Sequence, residues 1–358
     1  MKKKPSLTKV IIAVLALSVL FVCIQQIFFA RDIANPVLRS PSGERYFIID
    51  TDAGADDAMA ITMALKSPNI NILGITVAAG NVELEQGMDN VLMTVETCGK
   101  DVPVYAGSAV TYSGVKRDTY SVYGEDGMGD SGLINPTLQP ADGNGIDFIL
   151  EMARKYPGEL EIVSLGTATD LAFAIEKDPS AMKNVKRIWS MATSGFGSGN
   201  ATPVAEFNVY KDAEAYKVLL DSNLPLSIIG LDMVEEPTWL GKKEINTLMS
   251  DSPEGRFLGQ AVRKLMEYKI QQIGVEVFDP CDPVAMAVAL WPDFTKDSVL
   301  CSASCITDED ETHGQVIFYR SDTVYDSMIE LDDPNVTLIT DIKGVLFFPR
   351  LRYLLKAT

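Results

Sequence analysis

YFIIDTDAGADDAMAITMAL, residues 46 to 65, carries the densest chemistry in the chain and decides how the rest of it is read. Tyr46 to Ile49 form a short apolar, aromatic and β-branched run, Gly54 is a turn residue, and Ala58 to Leu65 place apolar side chains at helical spacing. This pattern predicts strand, tight loop and helix. Asp50, Asp52, Asp56 and Asp57 then crowd the carboxyl end of a strand and the first turn of a helix, the place where open α/β sheets bind ligands. A helix N-terminus favours negative charge by about 0.3–1 kcal/mol per group, but like charges this close oppose one another's ionisation. A cation among them resolves the conflict. Oxygen ligands without Cys or His suit a hard ion, calcium or magnesium, rather than zinc. An EF-hand does not fit, because the fifth and sixth positions counted from Asp50 are Gly54 and Ala55, and a strand precedes them. The plainer alternative is an acidic helix cap, with Asp52 or Asp56 capping and the remaining carboxylates in solvent.

Outward from this stretch, strand and helix patterns alternate. Strands are expected at Asn71 to Ala78, Val102 to Tyr105, Leu160 to Leu165, Arg187 to Thr193 and Leu226 to Leu231. Helices are expected at Leu84 to Cys98, 146 to 156, Thr169 to Ile175, Ala213 to Leu220 and within Lys243 to Ile273. That alternation predicts a parallel sheet covered by helices, with a closing hairpin, Val299 to Ile306 and Gln315 to Arg320, around the acidic turn Asp308 to Glu311. Between Ser108 and Gly145 the sequence loosens into a long loop, where Tyr112, Tyr120 and Tyr123 either stack on a ligand or pin the loop to the surface. The GFGSGN run (195 to 200) lacks the ending of a phosphate loop. The single histidine, His313, reads as structural.

At 358 residues and 47% hydrophobic content, with no linker or repeat dividing it, the chain supports one domain, residues 45–358. A formal net charge of −18 excludes nucleic acid as a partner, since phosphate binding needs a basic face. Residues 1–30 read as a signal peptide or signal anchor: Lys2, Lys3, Lys4 and Lys9 precede an apolar run from Val10 to Ile24, and residues 31–44 form a linker. Cleavage after Ala30 and retention as an anchor both remain open; either way the domain is exported, and any membrane contact is through this segment alone. A lipoprotein signal is excluded, because Phe21 and Val22 precede Cys23. Cys98, Cys281, Cys301 and Cys305 are too few for a disulfide scaffold, although Cys301 and Cys305 either pair or remain thiols.

DTDAGADDAMAI resembles the N-terminal signature of the inosine-uridine-preferring nucleoside hydrolases, DxDPGxDDAxA, with Ala53 for the usual Pro; on this reading the change only removes a stiffener from the turn. The family's other segments follow in order. ITVAAGN (75 to 81) resembles its ribose-side strand end, and YGEDGMGD (123 to 130) its HGxxGLG segment with Tyr123 where His is common. SLGTATDLA (164 to 172) is similar to GPLTNLA, GNATPVAEFNVYKDAEA (199 to 215) to GNxTPxAEFNxxxDPEA, and DPCDPVAMA (279 to 287) to xxHDPxAxA with Cys281 for His. The resemblance implies a single-domain, Rossmann-like, mostly parallel sheet flanked by helices, and hydrolysis of ribonucleosides to ribose and free base.

It further implies a Ca2+ ion held by Asp52, Asp57, the backbone carbonyl of Thr169 and Asp282, which lowers the pKa of a water that Asp56 deprotonates. Asn81, Asn200, Glu206 and Asn208 would bind ribose hydroxyls, the last two sharing a face of an extended segment, with Asp50 standing behind the ligands. Cys281 and Tyr123 would assist the leaving base, although a neutral thiol donates a proton weakly. A homo-oligomer is compatible with this reading. Two rivals stand beside it: a calcium-dependent nucleoside- or ribose-binding protein without catalysis, and a phosphatase of the haloacid dehalogenase type, whose DxD normally continues with Thr or Val rather than Ala53.

Overall fold

The computed structural model describes residue 18 and residues 43–117, 121–320 and 333–356. The chain divides into two compact units, Met1–Leu38 and Arg39–Thr358, and every element below belongs to the second. The expected signal or anchor helix, most of the linker and Tyr120 lie outside the described residues. Among the described residues, no helix is long and apolar enough to cross a membrane.

Strand β1 (Arg45–Thr51) buries Phe47, Ile48 and Ile49 completely, as a strand covered on both faces must. It leads into α1 (Ala55–Lys66), β2 (Ile70–Val77), α2 (Leu84–Thr97) and β3 (Val104–Ala106). After the long loop come α3 (Gly145–Lys155), β4 (Leu160–Ser164), α4 (Thr169–Lys177), the short α5 (Pro179–Met182) and β5 (Arg187–Met191). Then follow α6 (Phe207–Lys211), α7 (Ala213–Asp221) and β6 (Leu226–Ile229). The helix-rich stretch resolves into β7 (Leu240–Gly241), α8 (Lys242–Asp251), α9 (Pro253–Ala261), α10 (Arg263–Ile273) and β8 (Val277–Phe278). Its first break comes from Ser252, whose hydroxyl accepts the Gly255 N–H at 2.9 Å, with Pro253 opening the next helix. The chain closes with α11 (Cys281–Leu290), β9 (Thr295–Cys305), β10 (Val316–Tyr319), β11 (Val336–Ile342) and α12 (Phe347–Lys356).

The main sheet runs β10-β9-β11-β6-β5-β4-β1-β2-β3. Every pairing from β11 to β3 is parallel, and β9 and β10 join antiparallel at one edge, as the expected hairpin. Strand β11 and helix α12 were not anticipated from the sequence pattern; β11 fills the slot between β6 and β9. Cys301 and Cys305 are buried free thiols on β9.

The order of strands reverses at β1: β2 and β3 are laid on one side, then β4, β5 and β6 on the other. A crevice opens beyond the carboxyl ends of the strands at such a reversal. Arg45 locks this junction at its other end, its guanidinium paired with the buried Glu161 of β4 at 2.5 Å. Burial disfavours the Glu161 carboxylate, but Arg45 outweighs it and holds the group below its ordinary pKa.

Helices α1 and α11 pack against each other and are buried on nearly every face, as their all-round apolar sequences require. Asp56 and Asp57 lie in the first turn of α1 and Asp282 in the first turn of α11. The two most enclosed helices therefore bring acidic N-termini to one place.

Candidate active site

Asp52 lies between glycines contributed by both neighbours of β1. A β-carbon at Gly166, after β4, would come within 2.8 Å of the Asp52 Cβ, and one at Gly80, after β2, would collide with its carboxylate. Only glycine permits this approach. Asn81 then fixes the carboxylate, its backbone N–H donating to Oδ2 at 2.8 Å and its side-chain amide to Oδ1 at 2.9 Å. Asp57 accepts from the Thr51 hydroxyl and from the Gly54 N–H, the latter at 2.8 Å, and the carboxyls of Asp52 and Asp282 lie within hydrogen-bonding range of it. Carboxylate oxygens of Asp56, Asp57 and Asp282 stand within 4.8 Å of one another.

Burial pushes these acids up, joined at Asp52, Asp56 and Asp282 by repulsion from neighbouring carboxylates and opposed at Asp57 by its hydrogen bonds. Asp52 and Asp282 lie well above the usual carboxylate range, Asp57 is raised, and Asp56 is pushed up to about 8. Asp56 Oδ1 is buried with no hydrogen-bond partner. Clustered, dehydrated oxygen donors with an orphaned lone pair fit a divalent cation and nothing softer. Thr169 opens α4, buried, three residues after Gly166, and its hydroxyl donates to Asp212 at 2.6 Å. Asp50 stands behind the others, as expected, accepting from the Thr76 hydroxyl at 2.6 Å and facing Asp170.

A cavity of about 230 Å³ opens over this cluster, lined by Asp56, Asp282, Asn81, Asn200, Glu206, Asn208, Tyr123 and Cys281, so the expected ribose and leaving-group residues share one space. The expected extended geometry of Glu206 and Asn208 is wrong. Glu206 caps α6, its carboxylate accepting the N–H groups of Asn208 at 2.9 Å and Val209 at 3.2 Å, while Asn208 lies inside the helix. As a cap, the Glu206 carboxylate satisfies N–H groups of the first helical turn that have no partner within the helix. Asn208 donates to the backbone oxygens of Leu165 and Met191, at 2.7 and 3.2 Å, which ties α6 to the ends of β4 and β5. Burial pushes Glu206 up to about 7 against the pull of its capping N–H groups. Asn200 accepts the Phe207 N–H at 2.8 Å.

On the opposite wall, Tyr123 ends a 3-10 turn and its side chain is hydrogen-bonded to Asp56. Burial and the surrounding carboxylates raise both the Tyr123 phenol and the Cys281 thiol well above their ordinary values. Tyr112 packs on Phe173, ring centroids 5.1 Å apart, and pins the loop. His313 is buried edge-on against Tyr210, a structural position. Unforeseen lining residues are Leu265, Tyr268 and Lys269 of α10, with Leu165, Met191, Phe207 and Asp279. Helical periodicity placed the α10 residues on a helix but said nothing of which face meets the crevice.

Ala53 corrects a second expectation. Its φ is +62°, a conformation closed to proline, and its N–H donates to the Thr51 hydroxyl at 3.2 Å. The missing proline is therefore more than a lost stiffener: this loop takes a path that proline forbids. Ala53→Pro is expected to destabilise the protein by well over about 1 kcal/mol, read as a fall in denaturant midpoint at unchanged slope.

A family model described as inosine-uridine preferring nucleoside hydrolase matches residues 47–348. Among curated relatives, a probable uridine nucleosidase 2 of Oryza sativa subsp. japonica is 30% identical over 259 residues, 72% of this chain and 77% of the relative. Uridine nucleosidase 1 of Arabidopsis thaliana is 32% identical over 248 residues, 69% of this chain and 74% of its own. Pyrimidine-specific ribonucleoside hydrolase RihB of Escherichia coli (strain SE11) is 28% identical, with 71% and 80% covered. Of solved structures, a plant nucleoside hydrolase, PpNRh1, superposes with a TM-score of 0.81 at 29% identity, over 88% of this chain and 99% of that one. A purine-preferring ribonucleoside hydrolase from Gardnerella vaginalis gives a TM-score of 0.79 at 26% identity, over 88% and 100%.

Proposed function

Because the chain belongs to the inosine-uridine preferring nucleoside hydrolase family, we propose that it cleaves the N-glycosidic bond of ribonucleosides with Ca2+ as its ion and Asp56 as general base. The observation that carries this reading is the meeting of Asp56, Asp57 and Asp282 beneath a cavity whose walls hold amides and a carboxyl for a sugar. Calcium, held by Asp52, Asp57, Asp282 and the Thr169 carbonyl, would acidify water and grip ribose hydroxyls; its tolerance of irregular oxygen shells suits this mixed donor set.

The protein's own groups do the rest. Asp56 accepts the proton of the attacking water, oriented by its hydrogen bond with Tyr123. Asn81, Asn200, Glu206 and Asn208 hold the ribose, and the surrounding negative charge favours positive charge building on the ring as the bond to the base stretches. The names of the relatives span uridine, pyrimidine and purine substrates, so the base is read from a panel rather than assumed.

The test incubates the purified domain with uridine, inosine, cytidine and adenosine and measures reducing sugar with and without chelator. Chelator-sensitive ribose release is expected from at least one nucleoside. Tight nucleoside binding with no sugar released would instead establish the silent binding protein. Export, with the domain outside the cytoplasm, is part of the same proposal; N-terminal sequencing of the mature protein checks it, and an intact Met1 on a soluble cytoplasmic product overturns it.

A further inference from the structure

Lys269 is the one cationic side chain among the described residues that line the cavity. It projects from α10, a quarter exposed, with Nζ 2.5 Å from Asp279 Oδ2. An ammonium has three N–H bonds, and this carboxylate oxygen accounts for one of them. Helix α10 packs against the 3-10 turn that ends in Tyr123, and Lys269 lies near enough to Cys281 for its charge to act on the thiol. Lys269, Tyr123 and Cys281 therefore lie together in the lining of the cavity.

Breaking the bond from the ribose to the base nitrogen leaves an electron pair on the base, which a nearby acid or cation must accommodate. The two residues at the expected positions serve this poorly. A neutral thiol such as that of Cys281 is a weak donor, and the Tyr123 side chain is already engaged with Asp56.

We propose that Lys269 is the catalytic residue that assists a leaving base whose ring carries a carbonyl oxygen. As the C–N bond breaks, its electron pair enters the base ring and delocalises onto the carbonyl. Lys269 donates a hydrogen bond to that charge and then its proton to the departing base. The attacking water loses its proton to Asp56. Solvent returns a proton to Lys269 and takes one from Asp56, so one water is consumed overall. Asp279 keeps the ammonium in place and offsets its charge near the developing ribosyl cation. This assignment rests on the hydrolase reading above and deepens it.

The test compares two leaving groups on one protein. Lys269→Met is expected to lower kcat on uridine and inosine by about 100-fold. Turnover of p-nitrophenyl β-D-ribofuranoside, whose phenolate leaves without help, should stay within about threefold of wild type, which also verifies that the variant is folded. Lys269→Arg, which keeps a cation, should recover at least about a tenth of the nucleoside activity. Equal losses on nucleoside and aryl riboside, or no loss on nucleosides, overturn the assignment while leaving the hydrolase reading intact. A wild-type protein that releases ribose from neither substrate overturns the hydrolase reading and the assignment with it.

Discussion

Asp56→Ala lowers ribose release by about 10²–10⁴-fold on every nucleoside that the wild type accepts, the range expected for loss of a general base. The reason is positional. Asp56 sits in the first turn of α1 beside Asp57, yet its Oδ1 has no hydrogen-bond partner, while Asp57 is tied down by Thr51 and Gly54. Asp57 is thus held on both oxygens, while Asp56, bonded to Tyr123, keeps one oxygen unpartnered and lines the cavity. Because Asp52, Asp57 and Asp282 remain, calorimetric titration of the variant should still register calcium binding, weakened but measurable. Turnover equal to wild type refutes the assignment of the base; complete loss of calcium binding makes Asp56 a ligand instead.

Removal of the ion has the other large consequence, and its sign follows from the raised acids. Asp52, Asp56, Asp57 and Asp282 all have folded pKa values above those of the unfolded chain, with Asp56 at about 8 and, nearby, Glu206 at about 7. Above pH 4 the folded state therefore binds more protons than the unfolded one, so chelated protein loses stability as pH rises from the carboxylate range through about 8. A cation takes the place of those protons. Calcium at about a thousand times its Kd adds about 4 kcal/mol, which raises Tm by on the order of 8 °C for a domain of this size. Thermal melts in chelator should fall between pH 5 and 8.5, and calcium should flatten that slope. A chelated protein whose Tm holds steady or rises over this interval, and which calcium does not shift, has no ion site among these acids.

Much of this molecule is legible in the sequence because it is local. YFIIDTDAGADDAMAITMAL specifies strand, turn and helix within twenty residues, and the alternating apolar periods that follow specify a parallel sheet under helices. Asp56, Glu206 and Asp282 of the cavity lining could be named in advance because each lies in a short segment of characteristic spelling, whereas the role of Asp279 could not. VTLITDI was not read as a strand, because it follows the hairpin rather than continuing the strand-helix alternation, and its place between β6 and β9 is fixed only by the assembled sheet.

What the residue pattern determined, then, is the set of elements and the types of chemistry at their ends. Tertiary structure alone decided that Asn208 ties its helix to the ends of β4 and β5, that Gly80 and Gly166 close on Asp52, and that Lys269 lines the same cavity as Cys281 and Tyr123. Propensity and period are set by neighbours a few positions away. Burial, and the approach of Asp282 to Asp56 and Asp57, are set by segments that meet only after the sheet has formed, and no short stretch of sequence contains both parties to that contact.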